Sequence, residues 1–472
     1  MGWCKPVSLL LALSLCLAFV GGCRRDDGAA TIPTWSTETS CPTEETSPTE
    51  TVLPTESVMP TESIPATQSP ETTVPPTQST VPPVATTPPT EPTQPPETTV
   101  PPTQSTVPPV VTTPPTEPTQ PSVSETQPPM HIQIGPDRTE VLLIQKNAKA
   151  FVSRDLTQPV EWDIYNYKTV HQRLDTSQPV SLFVKVTNMP QGVSITSIVF
   201  KLADNAALIG GRELRPVGDQ RYVHVHYLLA NKQYFYRVQI SFSNGTTRVL
   251  ESNFRTADAP RMLSIDGIVN VRDIGGWKTL DGYVIRQGLL YRGSELDGAK
   301  MPEYKLTAEG LRQMREELGI RIDMDLRSQG ELTKLTHPLG NDVPHIFYGA
   351  RQYTAAFHGP GKEAVRKIFA DLANPGNYPV YLHCTYGADR TGTICFLLEA
   401  LLGVSEENLQ REYELTTMYH TWVDSEGYRE MVAEIKTWEG NTLQEKAETF
   451  LLHCGVTSQQ ITQIRDIFLE KQ

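Results

Sequence analysis

The pattern of hydrophobic and polar positions changes character twice along the chain. From about residue 132, short apolar runs alternate with polar positions and are separated by clusters of Asn, Gly, Pro and Asp. This period of two predicts the strands of a β-sandwich. The predicted strands span 141–144, 180–186, 194–202 and 223–227.

From about residue 262, apolar positions recur at helical spacing between short apolar runs. The pattern predicts helices over 307–318, with Thr307 as the N-cap, over 364–373 and over 391–402, and strands over 320–327 and 380–383. Alternation of strands and helices is typical of an α/β fold with a mostly parallel sheet flanked by helices. Catalytic loops lie at the carboxyl ends of such strands, and Cys384 directly follows the strand at 380–383.

The first residues predict export. Lys5 precedes an apolar run over 7–20, which has the length of a signal-peptide core and is shorter than the ~20 residues of a membrane span. The run ends in Gly21-Gly22-Cys23 before a charged stretch and resembles a bacterial lipobox. We therefore expect 1–22 to be a lipoprotein signal peptide and Cys23 to carry the lipid, which would anchor the protein to the cell membrane on its extracytoplasmic face. The alternative is an ordinary secretory signal followed by an incidental cysteine.

Residues 23–130 are predicted to be a disordered stalk. They are rich in Thr, Pro, Glu, Ser, Gln and Val, and a 26-residue unit beginning at Pro70 is repeated from Pro96 with Ala85 replaced by Val111. Such a composition cannot bury a core and favours extended conformations. A disordered leader without a spacing role is the alternative.

Charge and cysteine content exclude several classes of function. The net charge is −13, but residues 31–130 contain eleven Glu and no Lys, Arg or Asp, so the rest of the chain is close to neutral. The sequence contains no basic tract of the kind that would indicate a nucleic-acid partner. The cysteines are too few for a disulfide framework. His224 and His226 share one strand face without an evident third ligand, and neither a metal nor a cofactor is predicted.

Leu228 stands six residues before Tyr234, the spacing of a tyrosine corner, in which the tyrosine hydroxyl bonds back to the chain. With this spacing and the strand pattern, residues 131–259 resemble a fibronectin type III domain. Asn244-Gly245 is expected to form a two-residue hairpin turn between the last strands.

The segment 380–392, Val-Tyr-Leu-His-Cys-Thr-Tyr-Gly-Ala-Asp-Arg-Thr-Gly, carries the most specific chemistry. Cys384 and Arg390 bracket a loop whose backbone N–H groups, with the N-terminus of the following helix, can surround one tetrahedral anion. Gly387 allows the loop to turn with its amides inward. A thiolate, a guanidinium and a helix N-terminus in one loop are the requirements of covalent phosphoryl transfer.

This segment resembles the signature of the tyrosine-phosphatase superfamily, in the bacterial branch with Asp beside the arginine. Two further motifs agree, 270–276 with 288–292, and 325–328. The resemblance covers most of 260–472, which we expect to be the catalytic domain. Ala388 replaces a lysine that the branch uses for additional phosphates, so aryl phosphates are favoured over phosphoinositides.

The resemblance implies a phosphocysteine mechanism with Cys384 as nucleophile and Arg390 gripping the phosphate. The expected general acid is Asp389, with Asp325 as the alternative acid or as a structural partner of an arginine. His383, Thr391, Arg272 and Asp273 are expected to support the loop, Thr391 by a hydrogen bond to the thiolate. The predicted phosphate-binding residues are Thr385, Tyr386, Gly387, Ala388, Asp389 and Arg390.

The expected substrate is a phosphorylated protein, phosphotyrosine first, or a small phosphate monoester. Two alternatives remain: a phosphoinositide or inositol-phosphate phosphatase, and a surface-binding protein with a vestigial phosphatase fold.

Overall fold

The computed structural model describes residues 128–332, 334–420 and 423–471. The predicted signal peptide, Cys23 and the stalk up to residue 127 lie outside the described residues. Within the described part, no helix combines the length and the apolar character that crossing a membrane requires.

Two sheets form the first part of the described chain. Their strands are β1 His131–Gly135, β2 Glu140–Val141, β3 Val180–Thr187, β4 Ile195–Ala203, β5 Arg212–Leu214, β6 Tyr222–Val225, β7 Gln233–Phe242 and β8 Thr247–Thr256. One sheet has the order β1-β3-β6 and the other β2-β8-β7-β4-β5. Alternate residues of these strands, including Leu182, Phe200, Val238 and Phe254, are fully buried in one shared core. The period-two pattern therefore produces the expected β-sandwich.

Tyr234 makes the hydrogen bond that the tyrosine-corner spacing predicts. Its hydroxyl accepts from the backbone N–H of Leu229 at 2.9 Å. Membership of the fibronectin type III family stays a prediction.

The hairpin between β7 and β8 differs from the predicted two-residue turn. The N–H of Phe242 donates to the carbonyl of Thr246, so three residues, 243–245, form the loop. Gly245 occupies the left-handed region at φ +79°, which is the position that glycine takes in three-residue hairpin loops. The Asn-Gly pair predicted the position of the turn correctly, but the predicted length was wrong, because the same pair is found in two-residue and in three-residue hairpin loops.

The second part of the chain is built on a six-stranded sheet of order β14-β13-β15-β12-β10-β9. Strands β14, β13, β15 and β12 are parallel, while β10 and β9 are antiparallel. The strand bounds are β9 Arg261–Met262, β10 Arg272–Asp273, β11 Tyr283–Ile285, β12 Leu290–Gly293, β13 Ile322–Asp325, β14 His345–Phe347, β15 Val380–His383 and β16 Leu469–Lys471, with β11 and β16 forming a separate pair. The expected α/β fold with a mostly parallel sheet is thus confirmed.

Helices cover this sheet. Their bounds are α1 Lys146–Val152, α2 Val160–Asp163, α3 Ala308–Arg312, α4 Pro360–Leu372, α5 Asp389–Leu401, α6 Glu406–Glu414, α7 Ser425–Lys436, α8 Leu443–His453 and α9 Ser458–Phe468. Thr307 caps α3 as predicted, accepting from the N–H of Gly310. Only the first part of the predicted helix over 307–318 is α-helical, because it continues as a π-helical turn over Gln313–Glu317.

The segment 144–174 belongs to the core of the α/β part although it lies between two strands of the sandwich. Phe151, Val160, Ile164 and Leu174 are fully buried in the same cluster as the central helices and strands of the sheet. Polar contacts reinforce the packing: the ammonium of Lys168 donates to the carbonyl of Met418 at 3.0 Å. The predicted boundary at 259/260 is therefore crossed by the segment 144–174, which packs with the α/β part.

Candidate active site

Cys384 lies at the carboxyl end of the buried central strand β15. The strand ends at His383, and α5 begins at Asp389. Cys384 is unpaired and 3% exposed. The five residues 384–388 thus connect a strand end to a helix N-terminus, the geometry in which backbone amides and the helix dipole both favour an anion.

Every carbonyl of this loop is occupied. Cys384 O lies 3.0 Å from His383 Nδ1, and Thr385 O accepts from the N–H of Glu295. Asn270 Nδ2 donates to the carbonyls of both Tyr386 and Gly387, and Arg292 Nη2 also donates to that of Gly387. The carbonyl of Ala388 accepts from the N–H of Gly392. Because the carbonyls are tied down on one side, the peptide planes of the loop have a fixed orientation.

The amides of the same loop are unused. Within the described residues, none of the N–H groups of residues 385–391 donates a hydrogen bond to a backbone or side-chain atom. Unpaired backbone donors in a nearly buried loop are costly unless water or a ligand accepts from them. Together they form a cradle of donors that suits a tetrahedral oxyanion.

Gly387 allows this cradle to form. Its φ is +68°, and a Cβ at this position would lie 2.3 Å from the carbonyl oxygen of Gly293. Any other residue would meet both left-handed strain and a backbone clash.

Arg390 is held by Glu331. The guanidinium Nη1 donates to Glu331 Oε1 at 2.9 Å and to Oε2 at 3.1 Å. The side chain of Arg390 is 17% exposed, and its Nε and Nη2 make no hydrogen bond to the described residues. The Arg390 head is therefore oriented on one side and available to a ligand on the other. Sequence reasoning missed Glu331; the spacing Ser328-x-x-Glu331, a capping box that the structure contains, marked it as an ordered carboxylate.

A buried ion cluster supports the loop from beneath. Glu412 accepts from Arg272 Nε at 2.7 Å and from Arg292 Nη1 at 2.8 Å. Arg272 also donates to Asn270 Oδ1 at 2.6 Å, and Asn270 and Arg292 hold the loop carbonyls. The predicted supporting role of Arg272 fits these contacts. Asn270 and Arg292 lie in the motifs 270–276 and 288–292, but no role had been assigned to either, and sequence reasoning assigned no role to Glu412.

Asp273 and Thr391 do not make the predicted contacts. Asp273 pairs with Arg261 at 2.7 Å and caps the N–H groups of Gly275 and Gly288, so it orders the β10–β12 region rather than the loop. Thr391 Oγ1 is buried without a hydrogen-bond partner among the described residues, the thiol of Cys384 included. The predicted bond to the thiolate is therefore absent from this state of the protein.

His383 couples the strand end to a buried carboxylate. Its Nδ1 faces the carbonyl of Cys384, and its Nε2 lies 2.9 Å from Asp323 Oδ1. Burial opposes the charged form of the ring, but Asp325 and Asp323 outweigh it and raise the pKa of His383 to about 9. These contacts hold the His383 ring against the backbone of Cys384, and its role in orienting the cysteine stays a prediction.

Asp389 opens the helix and faces a pair of tyrosines. The Tyr353 hydroxyl donates to Asp389 Oδ1 at 2.5 Å and lies 2.9 Å from the Tyr413 hydroxyl. The carboxylate is partly exposed. Asp389 therefore begins α5 directly after the loop, with one carboxylate oxygen held by Tyr353.

Asp325, the alternative acid, is fully engaged in buried contacts. It accepts from Arg327 Nε at 2.9 Å and Nη2 at 2.7 Å, and its Oδ2 lies 3.3 Å from His345 Nε2. Burial alone would raise the pKa of Asp325, but His383, His345 and Arg327 hold it well below its usual range. The geometry favours the structural role that had been its alternative.

An aromatic wall borders the cradle. The ring of Tyr386, in the loop itself, packs edge-on against Tyr304 and His420 at centroid distances of 6.0 and 5.1 Å. The hydroxyls of Tyr304 and Tyr419 are 2.6 Å apart. Aromatic edges and faces of this kind can pack against the ring of an aryl substrate.

Comparison with known proteins agrees with the chemistry of this loop. Residues 263–470 match the model of the tyrosine phosphatase family. A protein of Cupriavidus necator with the provisional name tyrosine-protein phosphatase is 29% identical over 175 residues, which are 32% of this chain and 61% of that relative. The chain thus spans less than two thirds of the relative that it matches. Both findings support a phosphatase.

Two solved structures show weak similarity. The core catalytic domain of the PP-IP phosphatase SIW14 from S. cerevisiae, in complex with citrate, is 16% identical with a TM-score of 0.24, covering 34% of this chain and 86% of that one. A structure of the Siw14 catalytic core is 14% identical with a TM-score of 0.20, covering 31% and 87%.

Proposed function

We propose that this chain is a lipid-anchored, extracytoplasmic phosphatase that hydrolyses phosphate monoesters, phosphotyrosine first among them, through a phosphocysteine intermediate. The observation that carries the proposal is the cradle of unused amides over residues 385–391, in a loop that begins at Cys384 and includes Arg390 in the first turn of α5. An anion-binding loop that contains its own nucleophile is a site for covalent transfer rather than for simple binding.

The reaction takes two steps. The Cys384 thiolate attacks phosphorus while the amides and Arg390 hold the non-bridging oxygens. The bond from phosphorus to the leaving oxygen breaks, and Asp389 protonates that oxygen. Asp389, now a carboxylate, then takes a proton from water as the water attacks phosphorus, and the bond from sulfur to phosphorus breaks to release phosphate and the thiolate. Each residue returns to its starting state.

The aromatic wall supports an aryl substrate. Tyr386 and Tyr304 stand beside the cradle, where the ring of a phosphotyrosine can pack while its phosphate reaches Cys384. Ala388 supports the same choice, because its methyl group offers no charge to a second phosphate.

Location at the outer face of the membrane rests on the lipobox-like sequence before Cys23. Metabolic labelling with an alkyne fatty acid tests it: wild type should take up label, and Cys23→Ser should not. Equal labelling of the wild type and of Cys23→Ser would contradict lipid attachment at Cys23.

Turnover of 4-nitrophenyl phosphate by the full chain tests the chemistry. We expect Cys384→Ser to abolish turnover and Cys454→Ser, a matched change at another buried cysteine, to preserve it. Equal loss in both, or activity in Cys384→Ser, would refute the phosphocysteine mechanism. Comparison of phosphotyrosine peptides, phosphoserine peptides and phosphoinositides then tests the substrate class, and preference for phosphoinositides would favour the alternative activity.

A further inference from the structure

Behind the catalytic loop, four buried side chains converge on one point. Asp323 and Asp325 lie on the same face of β13, and the neighbouring parallel strands contribute His345 from β14 and His383 from β15. Their side chains are at most 2% exposed. The mechanism uses only one of them, His383, and only to orient the loop.

The spacing of their polar atoms is that of a four-coordinate metal site. His345 Nε2 lies 3.3 Å from Asp325 Oδ2 and 3.7 Å from Asp323 Oδ2, and His383 Nε2 lies 2.9 Å from Asp323 Oδ1 and 3.8 Å from Asp325 Oδ2. Tetrahedral zinc, with bonds of about 2.0–2.2 Å to nitrogen and oxygen, separates its ligand atoms by about 3.3–3.6 Å. The four distances bracket this value, with Asp323 reached through Oδ2 by His345 and through Oδ1 by His383, and one ligand atom from each of Asp323, His345 and His383 lies within 4.8 Å of the others.

Both histidines are already held in the orientation of metal ligands. His345 Nδ1 lies 3.0 Å from the carbonyl of Thr336, and His383 Nδ1 lies 3.0 Å from the carbonyl of Cys384. When a metal replaces the proton on Nε2, each ring can keep this hydrogen bond through its Nδ1–H and present the Nε2 lone pair, and histidine ligands of metals are characteristically fixed in this way. Both Nε2 atoms face the two aspartates.

Three of the polar atoms at the centre, both oxygens of Asp323 and Nε2 of His383, lack hydrogen-bond partners among the described residues. Within this described part of the chain, neither oxygen of Asp323 accepts a hydrogen bond of acceptable geometry, and Nε2 of His383 donates none. Asp323 Oδ1 and His383 Nε2 are nevertheless only 2.9 Å apart. Buried polar atoms without partners carry a large free-energy cost. A bound cation would satisfy them together.

The balance of buried charges around these side chains also favours a bound cation. Arg327 pairs with three buried carboxylates, Asp325, Glu295 and Asp297, and Asp323 adds a fourth beside them. One guanidinium against four carboxylates leaves a negative excess that must be compensated, either by protons on the histidines or by a cation.

We propose that Asp323, His345 and His383 form a binding site for a zinc-type divalent cation directly behind the catalytic loop, with Asp325 Oδ2, which Arg327 also contacts, as the fourth ligand atom. Two imidazole nitrogens and two carboxylate oxygens in a dry, four-coordinate arrangement suit Zn²⁺ better than Mg²⁺ or Ca²⁺, which require six or more ligands, mostly oxygen. The cation would fix the His383 ring while keeping its contact with the carbonyl of Cys384. The site would stabilise the sheet edge that carries the loop.

Metal content of the full chain tests the proposal independently of catalysis. The background is Cys384→Ser, which removes the thiolate as a competing ligand and makes the measurement indifferent to phosphatase activity. Protein is produced in zinc-supplemented medium so that the buried site can fill during folding, and it is analysed by inductively coupled plasma mass spectrometry. We expect about one zinc per chain.

Two variants in that background locate the metal. His345→Ala and the nearly isosteric Asp323→Asn should each lower the zinc content at least ~10-fold, while His358→Ala, at an exposed histidine, should not change it. Circular dichroism verifies folding, and Asp323→Asn keeps the test valid if His345→Ala does not fold. Growth with Co²⁺ should give the visible absorption of four-coordinate cobalt in the background protein.

Three results would overturn the proposal: a background protein without zinc, zinc that is unchanged in Asp323→Asn, or zinc that is present only when Cys384 is intact. The last result would assign the metal to the catalytic thiolate.

Discussion

Asp389→Asn and Asp325→Asn should fail in different ways. Asp389 is partly exposed, and Tyr353 bonds one of its oxygens; an asparagine keeps an acceptor there, so the loop should keep its shape. The variant loses only the proton that the leaving group needs. General acid catalysis contributes about 10²–10⁴-fold, or roughly 3–5 kcal/mol of transition-state stabilisation.

The loss should depend on the leaving group. 4-Nitrophenolate departs readily without protonation, whereas phenolate does not. We therefore expect kcat of Asp389→Asn to fall much further with phenyl phosphate than with 4-nitrophenyl phosphate, while the melting temperature stays close to that of wild type.

Asp325→Asn should instead lose stability. It removes the charge that Arg327 contacts through Nε and Nη2, and breaking a buried ion pair on one side costs about 3–5 kcal/mol. For a domain of this size the melting temperature should fall by roughly 6–20 °C. Steady-state kinetics with both substrates and thermal denaturation measure the two effects. A stable, inactive Asp325→Asn beside an Asp389→Asn that hydrolyses phenyl phosphate normally would refute our choice of acid.

Three further changes follow from the structure. Gly387→Ala should abolish turnover, because its Cβ would meet the Gly293 carbonyl; activity within tenfold of wild type would contradict the close approach. Glu331→Gln should raise KM for 4-nitrophenyl phosphate more than it lowers kcat, since it loosens Arg390 without touching the nucleophile; unchanged kinetics would show that Arg390 needs no such partner. Phe151→Ala should lower the free energy of unfolding by about 3–5 kcal/mol in denaturant titration, with the half-exposed Tyr165→Ala as the control, and equal effects would place 144–174 outside the core.

The sequence predicted what is local. Cys384, Arg390 and the turn between them lie within seven residues, so spacing alone indicated a strand, a loop and a helix N-terminus, and the structure has all three. The alternating pattern likewise predicted the sandwich because period two is a local property.

What escaped prediction depends on contacts between distant residues. Glu331 meets Arg390 across 59 positions, and Glu412 meets Arg272 across 140. Asp273 follows Arg272 in sequence, yet adjacent residues of a strand point to opposite faces, so only Arg272 reaches the cluster beneath the loop. Asp323 was part of a predicted strand, but only the register of β13 with its neighbours brings it to His345 and His383.

The placement of residues 144–174 has a consequence for biosynthesis. The same core cluster includes Phe396, Leu409 and Ile464, which emerge from the ribosome more than 200 residues later. The growing chain must therefore keep an apolar segment without these residues until synthesis is nearly complete. A fragment that contains only the sandwich would therefore leave the apolar residues of 144–174 exposed. Such truncated chains should be susceptible to proteolysis or bound by chaperones.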